Sequence, residues 1–233
     1  MSQSVIRLAS YNIRKARGLD QKRRPGRTLD VINGLDADLV VLQEADRRLG
    51  QRRPAIPRKM IEKGTDFDLV PVSRNGISLG FHGNAILVRK GLKVEGIDQI
   101  DLPGLEPRGA VGVHLSGGLT IVAAHLGLRR KDRRDQLERV IERVSENAHV
   151  AIAGDFNEWS EDRGLEPLEQ RFQTHAPGHS FHARRPVAAL DRVALSRGLE
   201  LHDGGVDEGA LARRASDHLP IWTDIALPAG VTC

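Results

Sequence analysis

Short apolar runs recur along the chain and predict β-strands separated by helices and turns. The run 37–44, ADLVVLQE, is apolar at nearly every position, which favours a strand buried on both faces. A similar run at 149–156, HVAIAGDF, closes on a carboxylate, Asp155. The same pattern predicts further strands at 5–12, 83–90, 109–115, 119–126, 190–196 and 219–227.

Helical periodicity marks two other segments. Residues 27–35 predict a short helix that ends near Gly34. Residues 130–147 predict a long helix, because apolar side chains recur there at helical spacing along one face: Leu137, Val140, Ile141 and Val144.

The connections between the predicted strands indicate an α/β fold. Gly117 and Gly118 separate two strands and are a strong hairpin signal, whereas other neighbouring strands are separated by a helix. Strands outnumber helices, which favours a two-sheet α/β sandwich with outer helices over a purely parallel doubly wound sheet. Because no linker composition interrupts the pattern, we expect residues 1–233 to form a single domain.

Composition narrows the class of protein. Of the 233 residues 39% are hydrophobic and only 3% aromatic, so the core must consist mainly of Leu, Val, Ile and Ala. The formal net charge of +4 is too small to imply a nucleic-acid partner by itself. A single cysteine, Cys233, excludes an intrachain disulfide, residues 1–18 lack a signal-peptide pattern, and no run is long enough to span a membrane. We therefore expect a cytoplasmic protein without stable membrane association, and the sequence predicts no oligomeric state.

Polar side chains stand at the ends of the predicted strands. Asn12, Glu44 and His125 each end one strand, and Asp155 and Asn157 end another. In an extended chain those last two would face one side and Phe156 the other. Strand ends meet at one rim of a sheet, so groups far apart in sequence can converge there. Five more polar residues lie at the starts of strands or inside one. Asn84 begins a strand, Asp191 lies inside LDRV, and three precede strands: Arg108, Asp217 and His218.

Each of these residues also has an ordinary structural explanation. An Asn at a strand end often caps a turn, and Asp155 with Asn157 could close an Asx-turn. Glu44 could be solvated, His125 could be a hydrogen-bonded core histidine, and SDHLP could be a turn motif. The order, spacing and neighbours of the whole set favour a functional site.

The residues carry a resemblance to a known family. The motifs YNIR, LQE, GNAILV, PRGA, HLGL, GDFNEW, LDRV and SDHLP follow one another in this order between Asn12 and His218. The chain resembles the endonuclease/exonuclease/phosphatase superfamily of deoxyribonuclease-like metal-dependent phosphoesterases, in particular its small bacterial branch. That resemblance implies a four-layered α/β sandwich, two mixed sheets packed face to face, with a site between their rims.

The resemblance also implies a metal and a nucleophile. A hard divalent cation, Mg²⁺ or else Mn²⁺, takes oxygen ligands. Glu44 looks like its principal ligand, Asn12 lies beside it, and Asp217 could reach it directly or through water. Asp155 resembles the carboxylate that orients or deprotonates the attacking water, and Asn157 would hydrogen-bond the phosphate or that nucleophile.

The remaining residues would bind phosphate or orient a histidine. Asp191 and His218 look like a carboxylate–imidazole pair, and His125, Arg108 and Asn84 would contact phosphate oxygens. Asp191 raises the pKa of His218, so a charged ring would clamp the phosphate and a neutral ring could be a general base. The sequence leaves both His218 and Asp155 open as the base.

Two departures bear on the substrate. Arg14 stands where abasic-site endonucleases of this superfamily place an acidic metal ligand, and Arg108 stands where they place a Tyr. Tyr11, Trp159 and Trp222 are the only Tyr and Trp, and the position of Trp222 within a strand favours a core role. These features argue against a dedicated DNA-repair role.

Local charge and the resemblance together predict the function. Arginines and lysines crowd residues 14–27 and 46–54, which could form a basic rim that attracts polyanions, whereas those at 128–134 suit a solvated helix face. We expect a phosphoester substrate, with DNA or RNA first. A phospholipid, sphingolipid or inositol phosphate is the alternative, although no amphipathic membrane-binding helix is evident. A non-catalytic binding module would predict gaps in the constellation, and none is evident.

Overall fold

The computed structural model describes residues 4–161 and 163–231, and within them two six-stranded mixed sheets dominate the structure. Cys233 lies outside the described residues. The first sheet consists of β1 (Val5–Asn12), β2 (Leu39–Gln43), β3 (Phe67–Leu69), β4 (Ala85–Arg89), β11 (Glu200–Val206) and β12 (Ile221–Ala226), in the order β11-β12-β1-β2-β4-β3. The second consists of β5 (Val94–Leu102), β6 (Arg108–Leu115), β7 (Leu119–His125), β8 (His149–Asp155), β9 (Phe172–His175) and β10 (Asp191–Ser196), in the order β5-β6-β7-β8-β10-β9.

The same described residues form four helices, α1 (Pro25–Gly34), α2 (Arg58–Gly64), α3 (Arg130–Arg143) and α4 (Ala212–Ala215), with short 3₁₀ turns at Arg14–Ala16 and Glu166–Leu168. No helix in the described part of the chain has the length and apolarity needed to cross a membrane.

Alternation along β2 explains the layers. Leu39 and Val41 face the second sheet, where they join an apolar cluster with Val111 and Ile121. Val40 and Leu42 face the other way, into a second cluster with Leu29, Ile32 and Ile61 of α1 and α2. Because both faces of the strand are covered, its sequence is apolar throughout.

The second sheet is covered in the same way. Val122 and Ile152 pack on Leu137 and Val140 of α3, in a third cluster that also holds Phe156. The four layers are therefore α1 with α2, the first sheet, the second sheet, and α3. The predicted α/β sandwich is confirmed.

Most central elements match their sequence patterns, and the edge elements do not. β1 has the predicted bounds, the Gly117-Gly118 hairpin joins β6 to β7, and the long helix ends at Arg143, short of the predicted 147. The sequence pattern missed β3, β5, β9 and β11, all of which lie at or next to a sheet edge, together with α2 and α4. Two of these strands have only three and four residues, and β11 contains Asp203-Gly204-Gly205, which disfavours a strand by local propensity.

Gly154 allows β7 and β8 to pair closely beside the predicted site. Its φ is +152°, and a Cβ built there would lie 1.8 Å from the carbonyl oxygen of Ala124, its partner in the parallel ladder. No side chain fits without moving a backbone. The glycine of the GDFN motif is therefore required by strand pairing.

We expect Gly154→Ala to lower the free energy of unfolding by about 3 kcal/mol, because it adds a backbone clash at a left-handed φ. Gly34→Ala is the matched control: a Cβ built there, at the end of α1, would have no other group within 4 Å, so helix propensity predicts a small gain of up to about 1 kcal/mol. Urea denaturation of both variants measures the difference. Equal stabilities would contradict this role for Gly154.

Candidate functional site

One cleft of about 590 Å³ opens where the rims of the two sheets meet. Eight predicted site residues line it: Asn12, Glu44, Arg108, His125, Asp155, Asn157, Asp217 and His218. Strand register brings them together. Asp155 pairs with His125 across β7–β8 and with Asp191 across β8–β10, while Asn12 pairs with Gln43, the residue before Glu44.

The carboxylate of Asp155 is the centre of the hydrogen-bond network. Its Oδ2 accepts a bond of 3.0 Å from Nδ2 of Asn12 and lies 3.4 Å from Nε2 of His125 and 3.7 Å from Nε2 of His218. Burial raises the pKa of Asp155 to about 6, although His218 opposes that shift. A carboxylate with such a pKa is ionised at neutral pH and can still accept a proton.

His218 carries a charge that its neighbours stabilise. Its Nδ1 lies 2.7 Å from Oδ2 of Asp191, whose carboxylate also accepts a 2.5 Å bond from the hydroxyl of Ser180. Burial lowers the pKa of His218, but the charges of Asp191 and Asp155 outweigh it and raise that pKa to about 10. The ring is therefore an imidazolium whose Nε2 lies on the side of Asp155. A charged ring suits a hydrogen-bond donor to a phosphate oxygen better than a general base.

The other histidine beside Asp155, His125, has a lowered pKa where that of His218 is raised. Burial lowers the pKa of His125 well below its usual value, and the charges of Arg108 and His218 lower it further. A neutral His125 can donate to or accept from a ligand without adding charge. The two histidines nearest to Asp155 therefore differ in charge: His218 is charged and His125 is neutral.

Asn157 closes the Asx-turn that the sequence left open and also lines the cleft. Its backbone N–H donates to Oδ1 of Asp155 at 3.0 Å, which closes an Asx-turn, and its φ is +51°. The expectation of an extended chain through Asn157 is therefore wrong, since β8 ends at Asp155. The Asn157 amide still lines the cleft, held by a 2.9 Å bond to the carbonyl of Leu126, while Phe156 is fully buried.

Two acidic groups of the cleft are balanced by cations of the chain itself. Glu44 is ion-paired with Lys15 and lies 3.7 Å from Arg48. Asp217 pairs with Nε of Arg14 at 3.1 Å. The sequence placed Lys15 in the basic segment 14–27 but did not predict its ion pair with Glu44. Arg14, Lys15 and Ala16 all have positive φ, so a left-handed turn aims these cations into the cleft.

Asn84 and Asp191 lie behind the cleft wall. Asn84 is fully buried, and its Nδ2 donates a 2.7 Å bond to the carbonyl of Gly109. It thus holds the start of β6, where Arg108 enters the cleft with its guanidinium on Glu106 at 2.7 Å. The structure brings Arg108 to the site and gives Asn84 and Asp191 supporting positions.

Family comparison agrees with this geometry. The model of the Endonuclease/Exonuclease/phosphatase family matches residues 9–218, which includes every residue named above as lining the cleft. The chain belongs to this family. Members of the family are generally hydrolytic phosphoesterases.

Individual relatives extend the comparison. The chain is 28% identical over 164 residues to the YbhP protein of Escherichia coli strain K12, and the match spans 64% of each protein. A Bacteroides thetaiotaomicron endonuclease/exonuclease/phosphatase family protein superposes with a TM-score of 0.76 at 17% identity, covering 97% of this chain and 99% of that one. The structure of D. rerio TDP2 complexed with a single-strand DNA product superposes with a TM-score of 0.72 at 19% identity, covering 95% of this chain and 99% of that one. These likenesses establish the fold.

The donor chemistry of this family member fits a divalent cation. Glu44, Asp217 and Asp155 bring carboxylates to one cleft, and Asn12 brings an amide whose oxygen accepts a hydrogen bond from the backbone N–H of Arg14. Carboxylate and amide oxygens are the ligands that Mg²⁺ prefers. A tighter acidic cluster joins Asp155, Asp191 and His218, whose ligand atoms lie within 4.8 Å of one another. In that cluster the imidazolium of His218 is itself the cation between two carboxylates, so the oxygen set around Glu44 fits a metal better.

Asp191→Asn should lower the pKa of His218, because the neutral amide removes the largest of the three carboxylate charges that raise it. In the folded protein the pKa of His218 lies above the ordinary histidine value of about 6.5. Protonation of His218 therefore stabilises the fold, and this contribution is fully present below about pH 6.5. This contribution is lost as the pH rises through about 10. NMR titration of the His218 ring measures the change in pKa, and the ring signal is assigned because it is absent from the spectrum of His218→Gln. An unchanged pKa in Asp191→Asn would refute this assignment of charge.

Proposed function

We propose that this family member is a divalent-metal-dependent phosphoesterase that hydrolyses a phosphodiester by direct attack of an activated water. The observation that carries the proposal is the position of Asp155. It lies beside a charged and a neutral histidine, within one cleft that also presents Glu44 and Asp217. A base, anion donors and oxygen ligands thus share one space.

The predicted site residues have distinct roles in this mechanism. Asp155 orients the attacking water and takes its proton, since a pKa of about 6 leaves the carboxylate ionised yet basic. His218 donates Nε2–H to a phosphate oxygen, and Asp191 fixes its ring through Nδ1. His125, Asn157 and the guanidinium of Arg108 bind further oxygens, with Asn84 holding the strand that carries Arg108.

The proposed metal is Mg²⁺, with Mn²⁺ as a substitute. Glu44 is its principal ligand in this proposal, with Asn12 and Asp217 beside it. When bound, the cation would neutralise phosphate charge and polarise the phosphorus. Lys15 and Arg14 contact the same carboxylates, so these side chains must release them for the ion. We also propose a cytoplasmic location.

Nucleic acid is the substrate class that the cleft supports best. Arg47, Arg48 and Arg52 line it, from the loop after β2, and Arg47 and Arg52 have no ion-pair partner among the described residues. The loop is anchored because Asp46 accepts bonds of 2.7 and 3.1 Å from the backbone N–H groups of Leu79 and Gly80. Of the two predicted basic segments, 46–54 therefore supplies a rim, whereas 14–27 supplies only Arg14 and Lys15 to the cleft.

Glu44→Ala and Asp155→Asn should each lower the hydrolysis of a phosphodiester at least about 100-fold, since each removes a group on which the reaction depends. EDTA should abolish it, and added Mg²⁺ should restore it. Glu62→Ala, an exposed acid on α2, is the matched control and should retain wild-type rates. A panel of DNA, RNA, phospholipid and phosphomonoester substrates tests the class. Full turnover by Asp155→Asn, with circular dichroism as the folding control, would exclude the mechanism.

Combined Arg47→Ala and Arg52→Ala should weaken the binding of single-stranded DNA and flatten its salt dependence. Loss of two phosphate contacts reduces the slope of log K against log[salt] by about 1.4. Arg134→Ala provides the control, because that side chain is paired with Glu138 on the solvated face of α3. Fluorescence anisotropy over a range of NaCl concentrations gives the slopes. The rim has no role in binding if all three proteins give the same slope.

A further inference from the structure

We propose that Trp159, supported by Phe181, is a stacking platform for a nucleobase of the substrate, beside the phosphate site. The inference rests on the proposed function and names the part of the substrate that the aromatic side chains recognise. It begins from an unusual placement in a chain that is only 3% aromatic. Tyr11, Phe156 and Phe67 are at most 4% exposed, whereas the Trp159 residue is 62% exposed.

A continuous run of rings connects Trp159 to the catalytic histidine. The Trp159 ring meets that of Phe181 edge-on, with centroids 5.9 Å apart and planes at 83°. The Phe181 ring lies 5.0 Å from the imidazole of His218, and the two residues also form a backbone bridge. A group stacked on Trp159 is therefore two ring contacts from the histidine that would hold the phosphate.

The backbone on both sides of Trp159 is fixed by buried charges. The carboxylate of Glu158 accepts a 2.6 Å bond from Arg133, and each of these side chains is at most 7% exposed. Arg192 donates to the carbonyl oxygens of Glu158 and Ser160, at 3.2 and 2.7 Å. Such anchoring fixes the backbone that carries Trp159, and the contact with Phe181 restricts its ring, so part of the ordering precedes ligand binding.

The surroundings of the platform favour a base over a lipid chain. Chain neighbours of Trp159 are polar or charged: Glu158, Ser160, Glu161 and Arg163. A hydrocarbon tail would require a continuous apolar surface, whereas a base requires one flat ring and tolerates polar edges. The arginines of the adjoining cleft supply the complementary charge for a phosphate backbone.

The test compares two ligands of equal charge. The reference protein carries Trp222→Phe, which leaves Trp159 as the only tryptophan; Trp222 is a partly buried strand residue beneath the guanidinium of Arg7. A short oligothymidylate and an abasic oligomer of the same length are titrated in EDTA, which prevents metal-dependent turnover. We expect saturable quenching by the oligothymidylate and about tenfold tighter binding than that of the abasic oligomer.

Variants at position 159 assign the preference. By calorimetry, Trp159→Ala should bind both oligomers equally, and Trp159→Phe should keep most of the preference because it keeps a flat ring. Ile97→Ala, an exposed apolar residue on β5 that does not line the cleft, should leave the preference unchanged. Equal affinities in the reference protein, no binding of either oligomer, or a preference that persists in Trp159→Ala would each overturn the proposal.

These titrations are independent of turnover. Preference for bases without hydrolysis of any phosphoester would retain the platform and remove the proposed enzymatic function. Hydrolysis of a phosphodiester by a protein that binds the oligothymidylate and the abasic oligomer equally would support the enzymatic function and exclude the platform.

Discussion

The buried carboxylate of Asp155 can remain ionised only because the chain surrounds it with donors. Burial opposes its charge, and the Asn12 amide, the Asn157 N–H and the imidazolium of His218 offset part of that cost. His218 in turn remains charged because Asp191 and Asp155 flank it. The two ionisations are therefore coupled, since the charge of each group stabilises the charge of the other.

This coupling depends on strand register. His125, Asp155 and Asp191 belong to three neighbouring strands of one sheet, whereas Asn12 and Glu44 come from the other sheet and its rim. A shift of one residue in β8 would turn Asp155 away from its partners. The apolar cluster between the sheets, with the close contact at Gly154, is what holds that register. Core packing and site chemistry are thus one constraint.

Much of this arrangement could be predicted from the sequence, for a physical reason. Strands covered on both faces must be apolar throughout, so β2 and β8 are recognisable, and the polar residues at their ends are visible as interruptions. Edge strands such as β5 and β11 alternate or contain glycine, and short local patterns do not distinguish them from loops. Side-chain partners are set by three-dimensional packing, so neither the Lys15–Glu44 pair nor the buried position of Asn84 could be derived from spacing.

The loops of the cleft carry conformations that a stable core must support. Among the described residues, nine other than glycine have positive φ, and six of them line this one cleft: Arg14, Lys15, Glu44, Arg52, His82 and Asn157. A left-handed residue with a side chain costs roughly 1 kcal/mol, so such a concentration is unfavourable unless it has a use. Each of these turns follows the end of a strand or lies in a loop at the rim. At these positions the backbone changes direction sharply, so successive side chains can point into the narrow cleft. In an extended chain they would point to opposite sides. The two packed sheets thus supply the free energy that holds charged side chains at close range before any ligand binds.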